Sequence, residues 1–460
     1  FSLGAPLTVA GNVVVNSGTT LNVNASTLSV GGNWTRVGTF TAGSGSVVFD
    51  GSGAQSIGTT TFNNMTVNKS GGSATLTGNL PINGDLTVAA GTLDLSTFSA
   101  SRTAVGGTMT LSGGTTLRVG GVSNFPDNYA TLSLDPTSTV EYYGTLTQVV
   151  DAISYGNLTL SNGGVNVKIL TGPTSVAGNL LINGGSTFDA GSSALNVDGN
   201  WTNGGTFLSS TSSVTFAGSS MSLSGATTFN DLTVSGSYSA SSDVTVNGTA
   251  SFTGAFQAGG TTATFSGDFA NTGTFGSSGT VTFTGSSPQT LSLNSGFGSS
   301  GTVNFNGSVA PVFSDASAPA FNDVNVNNTG GVTPDIGWTV GGTFTVGSGA
   351  TFNDGSLTNT FSGSFTNNGT VNQTGTLLFN PSGPVTLTFL GTAFTSSGTV
   401  EFDGSGDITV AGGAPTFSAV DITNSSVGGV TPVSNWIVLG NLFIAAGSTL
   451  NGGSGLSHTV

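Results

Sequence analysis

The sequence contains no cysteine, a single histidine (His458) and five basic residues in 460. Without cysteine there are neither disulfides nor thiolate metal sites, which fits secretion by a route that avoids disulfide formation. Arg36, Lys69, Arg102, Arg118 and Lys168 are widely separated and all precede Leu170. No basic stripe for phosphates can form from them, so nucleic acid is not an expected partner. Only 5% of residues are charged, and the net charge of −15 serves solubility and repulsion between polar surfaces. No stretch approaches 18 uninterrupted apolar residues, so no helical membrane span is expected. Helix signals are also lacking, since nowhere do apolar residues recur at three- and four-residue spacing among helix formers.

What is present is glycine, 75 residues of it, together with 36% hydrophobic residues and 30 phenylalanines. Disordered chains are poor in apolar residues, whereas here they alternate in short β-like runs. Leu7-Thr8-Val9, Val13-Val14-Val15, Leu21-Asn22-Val23 and Leu28-Ser29-Val30 are examples, separated by Gly11-Asn12, Ser17-Gly18 and Gly31-Gly32-Asn33. Gly and Asn tolerate positive φ and turn a chain within one or two residues. The runs form a long repeat. LSVGGNWTRVGTF from Leu28 returns as LNVDGNWTNGGTF from Leu195, with looser copies from Ala263 and Thr360. A marker strand with an aromatic head recurs at Phe62, Tyr155, Phe229, Phe321 and Phe417. Such a pattern predicts an all-β fold, a right-handed parallel β-helix (β-solenoid) of roughly 20-residue coils with no capping helix. One continuous solenoid over 1–460 is expected, in approximate units 7–78, 79–173, 174–243, 244–337 and 338–435, with a partial unit 436–460.

Candidate chemistry is sparse. Trp34 and Trp201 share the GNWT context, Phe269 and Phe365 replace them in the looser copies, and Trp338 and Trp436 follow Gly-Gly-Val-Thr-Pro turns. A sugar-stacking platform is one reading. Exchange of Phe for Trp meets a volume requirement better, so interior packing is the expectation. Glu401, Asp403 and Asp407 form the only local carboxylate cluster, and calcium binding is one reading of them. Other copies carry Asp50, Ala217, Thr284 or Asn306 at the position of Asp403, so a solvated turn is expected. The sequons at Asn33, Asn64, Asn157, Asn200 and Asn368 are what Asn- and Thr-rich strands generate by chance. Thr280-Val281-Thr282 has the Thr-x-Thr form of ice-binding solenoids, but unequal coils break the flat face those need. With His458 as the one imidazole and no basic side chain between Lys168 and it, neither a Ser-His-Asp set nor a glycan-cleaving site is expected. No catalytic, cofactor-binding or metal-binding residue is assigned.

The phrases GNWTNGGTF, STVEYYG, YGNLTLSNGG and FNDLTV resemble the β-strand repeats of very large bacterial surface and secreted proteins, similar to adhesin and filamentous-haemagglutinin-type solenoids. The resemblance spans nearly the whole chain and implies extracellular or cell-surface display, adhesion or fibre formation. Asn441 to Leu450 matches Asn12 to Leu21, and neither end offers an amphipathic helix or a charged cap. Uncapped strand edges invite further strands. The expectation is therefore a subunit of an extracellular filament whose partner is itself, as a head-to-tail homopolymer. The alternative is a segment of a long monomeric adhesin, and a glycan-active enzyme ranks below both. Cell-surface or matrix glycans are the other partner class.

Overall fold

The computed structural model describes residues 1–390 and 394–460. The chain divides into two compact units, Phe1–Thr227 and Thr228–Val460, each a β-solenoid of parallel stacked coils. Among the described residues there is no helix. Strands are mostly three or four residues long, and most alternate buried and outward residues. In Ser46–Phe49, Val47 and Phe49 are buried while Ser46 and Val48 face outward. A strand exposes every second side chain on one face, so this alternation lines an apolar interior and a polar exterior.

In the first unit, Leu7–Val9, Thr27–Val30, Ser46–Phe49 and Asn64–Leu76 stack in parallel register. A second column runs through Leu93, Leu117, Val140, Leu158, Leu180 and Trp201, each beside the next. Coil length varies along the stack. Val47 stands beside Met65, 18 residues on, and Leu117 beside Val140, 23 residues on. The extra residues enter the turns, so the strand register survives. In the second unit, Val324, Phe344, Phe365, Leu387 and Val410 form one such column.

The corners explain the recurring glycines. A Cβ on Gly51 would lie 2.0 Å from the carbonyl oxygen of Gly31 one coil earlier, and a Cβ on Gly363 would lie 2.1 Å from that of Gly342. Coils stacked at the strand spacing of about 4.8 Å leave no room for a side chain there. The marker aromatics Phe62, Tyr155, Phe229, Phe321 and Phe417 all point into the interior, none more than 5% exposed.

Candidate functional site

The six aromatics singled out by the repeat are interior residues. Trp34, Trp201, Trp338, Trp436, Phe269 and Phe365 are all at most 3% exposed, which rules out a sugar platform built on them. The Trp copies share a polar contact. Trp34 Nε1 donates to Thr60 Oγ1 at 2.7 Å, and Trp201 Nε1 donates to Thr227 Oγ1 at 3.2 Å. Trp338 and Trp436 each extend a stack of phenylalanines. Phe283, Phe305 and Trp338 lie with centroids 5.5 and 5.3 Å apart, and Phe379, Phe402 and Trp436 with centroids 5.7 and 5.6 Å apart.

The acidic stretch does not converge. Asp407 Oδ1 accepts the backbone N–H of Gly428 at 3.0 Å, and Glu401 Oε1 accepts the Thr423 hydroxyl at 3.3 Å. Among the described residues no three carboxylate or imidazole groups come together as a cation site. His458 accepts the Trp436 backbone N–H through Nδ1 at 3.1 Å. The Thr column Thr262, Thr280, Thr302 ends at Asp323 on the next coil, so it is not a continued flat face.

Asp407 belongs to a wider device. At the turn preceding a strand, an Asn or Asp side chain accepts the backbone N–H of the coil that follows. Asn157 Oδ1 takes Asn179 N at 2.8 Å, Asn179 takes Asn200 N at 2.9 Å, and Asn200 takes Ser222 N at 2.8 Å. Asn33 and Asn64 act in the same way on Ser56 and Asp85. In the second unit Asp231, Asp268 and Asp323 do so on Thr249, Thr290 and Thr343. Four of the five sequon asparagines are therefore rungs of a capping ladder, and the single turn aspartates have a structural role. Only an acceptor oxygen is needed, so Asn and Asp exchange freely.

Two lysines that look like isolated charges in the sequence occupy equivalent corners of the solenoid. Lys69 is 2% exposed and donates to Gly51 O, Gly53 O and Gln55 Oε1 at 2.7, 2.8 and 2.7 Å. Gln55 reaches back one coil, donating from Nε2 to Val30 O at 2.8 Å and Gly32 O at 2.6 Å. Lys168, fully buried, repeats the arrangement on Gly144 O and Gln148 Oε1. Gln148 Nε2 donates to Val119 O at 3.0 Å and Gly121 O at 2.6 Å. Each Lys-Gln pair ties three successive coils through main-chain oxygens. Burial pushes both ammonium groups down, that of Lys168 to about 8, and for Lys69 the charge of Asp50 works the other way. In the second unit Gln289 holds Phe265 O and Gly267 O in the same manner. The Gln half of the clip follows a Gly four residues earlier, at 51–55, 144–148 and 285–289, but 369–373 has the same spacing and Gln373 donates instead to Gly375 O and Thr399 O, so the spacing alone does not mark the clip.

The outer face of the first unit carries one charged column. Arg118 lies between Asp94 at 2.8 Å and Glu141 at 2.9 Å. Its guanidinium carbon stands 4.0 Å from the centroid of the Tyr143 ring, whose hydroxyl donates to Asp94 Oδ1 at 2.7 Å. Burial, with the neighbouring Asp94, pushes the Tyr143 phenol up to about 12. Nearby, the buried Tyr142 and Tyr155 hydroxyls meet at 2.9 Å, and Tyr155 donates to Asp151 O at 2.7 Å.

No helix among the described residues is long and apolar enough to cross a membrane. No protein-family model, curated protein or solved structure matches the chain. On its own geometry the molecule is a β-strand-repeat solenoid.

Proposed function

We propose that this chain is a structural subunit of an extracellular filament, in which coils of one copy continue the ladder of the next. The observation that supports this most directly is the generic way in which coils recognise one another. Successive coils are joined by main-chain hydrogen bonds in parallel register and by Asn or Asp acceptors that serve any following N–H. Neither needs a unique partner sequence, so a coil of a second copy meets the same terms as a coil of the same chain. The outward polar positions differ from coil to coil, as in a scaffold whose interior is constrained and whose surface is not. The reading assigns no catalytic residue. Extracellular display rests on the resemblance to bacterial surface repeats and on the cysteine-free composition.

The test is a concentration series of the purified chain followed by light scattering and electron microscopy. Extended polymers that lengthen with concentration are expected. A monodisperse monomer at every concentration overturns the filament, and would fit a segment of a long monomeric adhesin.

A further inference from the structure

Trp338 and Trp436 each follow a Gly-Gly-Val-Thr-Pro turn, and the coil after each closes over its backbone in the same way. Leu357-Thr358-Asn359-Thr360 aligns there with Leu456-Ser457-His458-Thr459. Thr360 N donates to Trp338 O at 2.8 Å, and Thr459 N to Trp436 O at 3.1 Å. The Trp N–H goes to the side chain one residue earlier. Trp338 N donates to Asn359 Oδ1 at 2.9 Å, and Trp436 N donates to His458 Nδ1 at 3.1 Å. An amide that cannot titrate in one copy is thus an imidazole in the other. We infer that His458 is an acid-operated clasp, holding residues 457–459 on the coil beneath while neutral and releasing them when protonated.

The partners fix the tautomer. Gly452 O lies 2.8 Å from Nε2 and can only accept, so Nε2 carries the proton and Nδ1 offers its lone pair to Trp436. Imidazolium has two donors and no acceptor, so no rotation of a protonated ring satisfies the Trp436 N–H. That N–H belongs to a residue only 3% exposed, where an unpaired donor is costly. Asn359 meets the same two demands at any pH, its Nδ2 donating to Asp354 O at 3.3 Å. The stretch has little else to hold it. Ser457 and Thr459 are exposed, and the other bonds are Ser457 N to Asn435 Oδ1 at 3.0 Å and Val438 N to Thr459 O at 2.8 Å. No other charged group stands by the ring to set its protonation. After Asp421 the sequence has no ionisable side chain except His458, so Val430–Pro432, Ile437–Val438 and Leu442–Ile444 carry none. The coil before them carries Asp421, beside Phe443, and Asp407, whose Oδ1 is occupied by Gly428 N. His458 also borders an apolar depression of about 190 Å³ with Trp436, Val438, Leu442 and Leu450. Release opens that depression and bares Trp436.

The test measures amide protection factors, which remove the intrinsic pH dependence of exchange, in the full chain at pH 8 and pH 5. Residue-resolved hydrogen exchange at Trp436 and Thr459 is compared with Trp338 and Thr360 in the same molecule. Protection at the first pair is expected to fall by about tenfold at pH 5, while the second pair changes by less than about twofold. His458→Asn installs the acceptor of the other copy and is expected to stay protected at both pH values. His458→Leu, with no acceptor, is expected to be poorly protected at both. The carboxylate that ends the 460-residue chain is common to all three proteins and cannot produce a difference between them. Equal protection of the parent at the two pH values overturns the clasp. So does an equal fall in His458→Asn, or full protection in His458→Leu. The clasp does not depend on filament growth, and exchange at these four amides reads it separately.

Discussion

Lys168 combines complete burial with a charge, and that combination makes stability depend on pH. Its ammonium is lowered to about 8 in the folded chain against 10.5 unfolded. Between those values the unfolded state binds more protons, so stability rises with pH there. We expect the melting temperature of the parent relative to Lys168→Met to increase from pH 7.5 to pH 9. Lys69 adds a smaller rise common to both chains, and the window lies below the range in which the raised Tyr129, Tyr142, Tyr143 and Tyr155 phenols work the other way. A difference that does not grow with pH would count against the buried amine. The carboxyls of Asp151, Asp315 and Asp354 are raised, chiefly by burial. For these the folded state prefers the proton, so stability is lost as pH rises through the folded values and regained on acidification. With −15 of net charge also being relieved, the melting temperature should climb as pH falls from 7 towards 4.5. Differential scanning calorimetry at constant ionic strength checks both arms. An acid-labile transition in that window would contradict the second.

The capping ladder and the interior columns are the elements that repeat, and each makes its own demand on sequence. Asn179 Oδ1 accepts the backbone N–H of Asn200, and the backbone N–H of Asn179 donates to Asn157 Oδ1. Asn179→Ala should cost about 0.5–1.5 kcal/mol in chemical denaturation, while Asn179→Asp should be close to neutral because the acceptor remains. Phe365 sits between Phe344 and Leu387 and is fully buried. Phe365→Ala should cost about 3–5 kcal/mol, and Phe365→Leu markedly less. These elements were largely legible in the sequence because their signals are local. Leu28 and Val30 alternate with Thr27 and Ser29 within four residues, and the corner Gly31 adjoins them. The Lys-Gln clips were not legible. Gln55 acts on Val30 and Gly32 of the preceding coil, and Lys69 arrives from the following one. Their meeting depends on coil lengths that no local pattern states, so the basic residues read as scattered charges. Tyr143 was hidden similarly, since its partners Asp94 and Arg118 lie on two other coils.

At the scale of the molecule, a solenoid differs from a globular fold in what it permits to be removed. Each coil contacts chiefly its neighbours, so excising a whole coil rejoins two surfaces built to the same register, whereas excising a fraction of one rotates every later side chain out of phase. The second unit offers a clean case. Val324 stands beside Phe344, and Phe344 beside Phe365; Thr345 pairs with Thr366 and Asn353 with Asn372. Deleting residues 344–364 would place Phe365 beside Val324, replacing Phe with Phe and Thr with Thr at the new junction. The N–H of Val324 would keep its acceptor, Thr343 O, and that of Thr343 would keep Asp323 Oδ1. We expect the shortened chain to retain its β-type circular dichroism, with a melting temperature within about 5 °C of the parent. Deleting only residues 344–353 should instead unfold much of that unit, seen as accelerated amide exchange from Val324 onward. If both deletions behaved alike, coil register would not be what holds this molecule together.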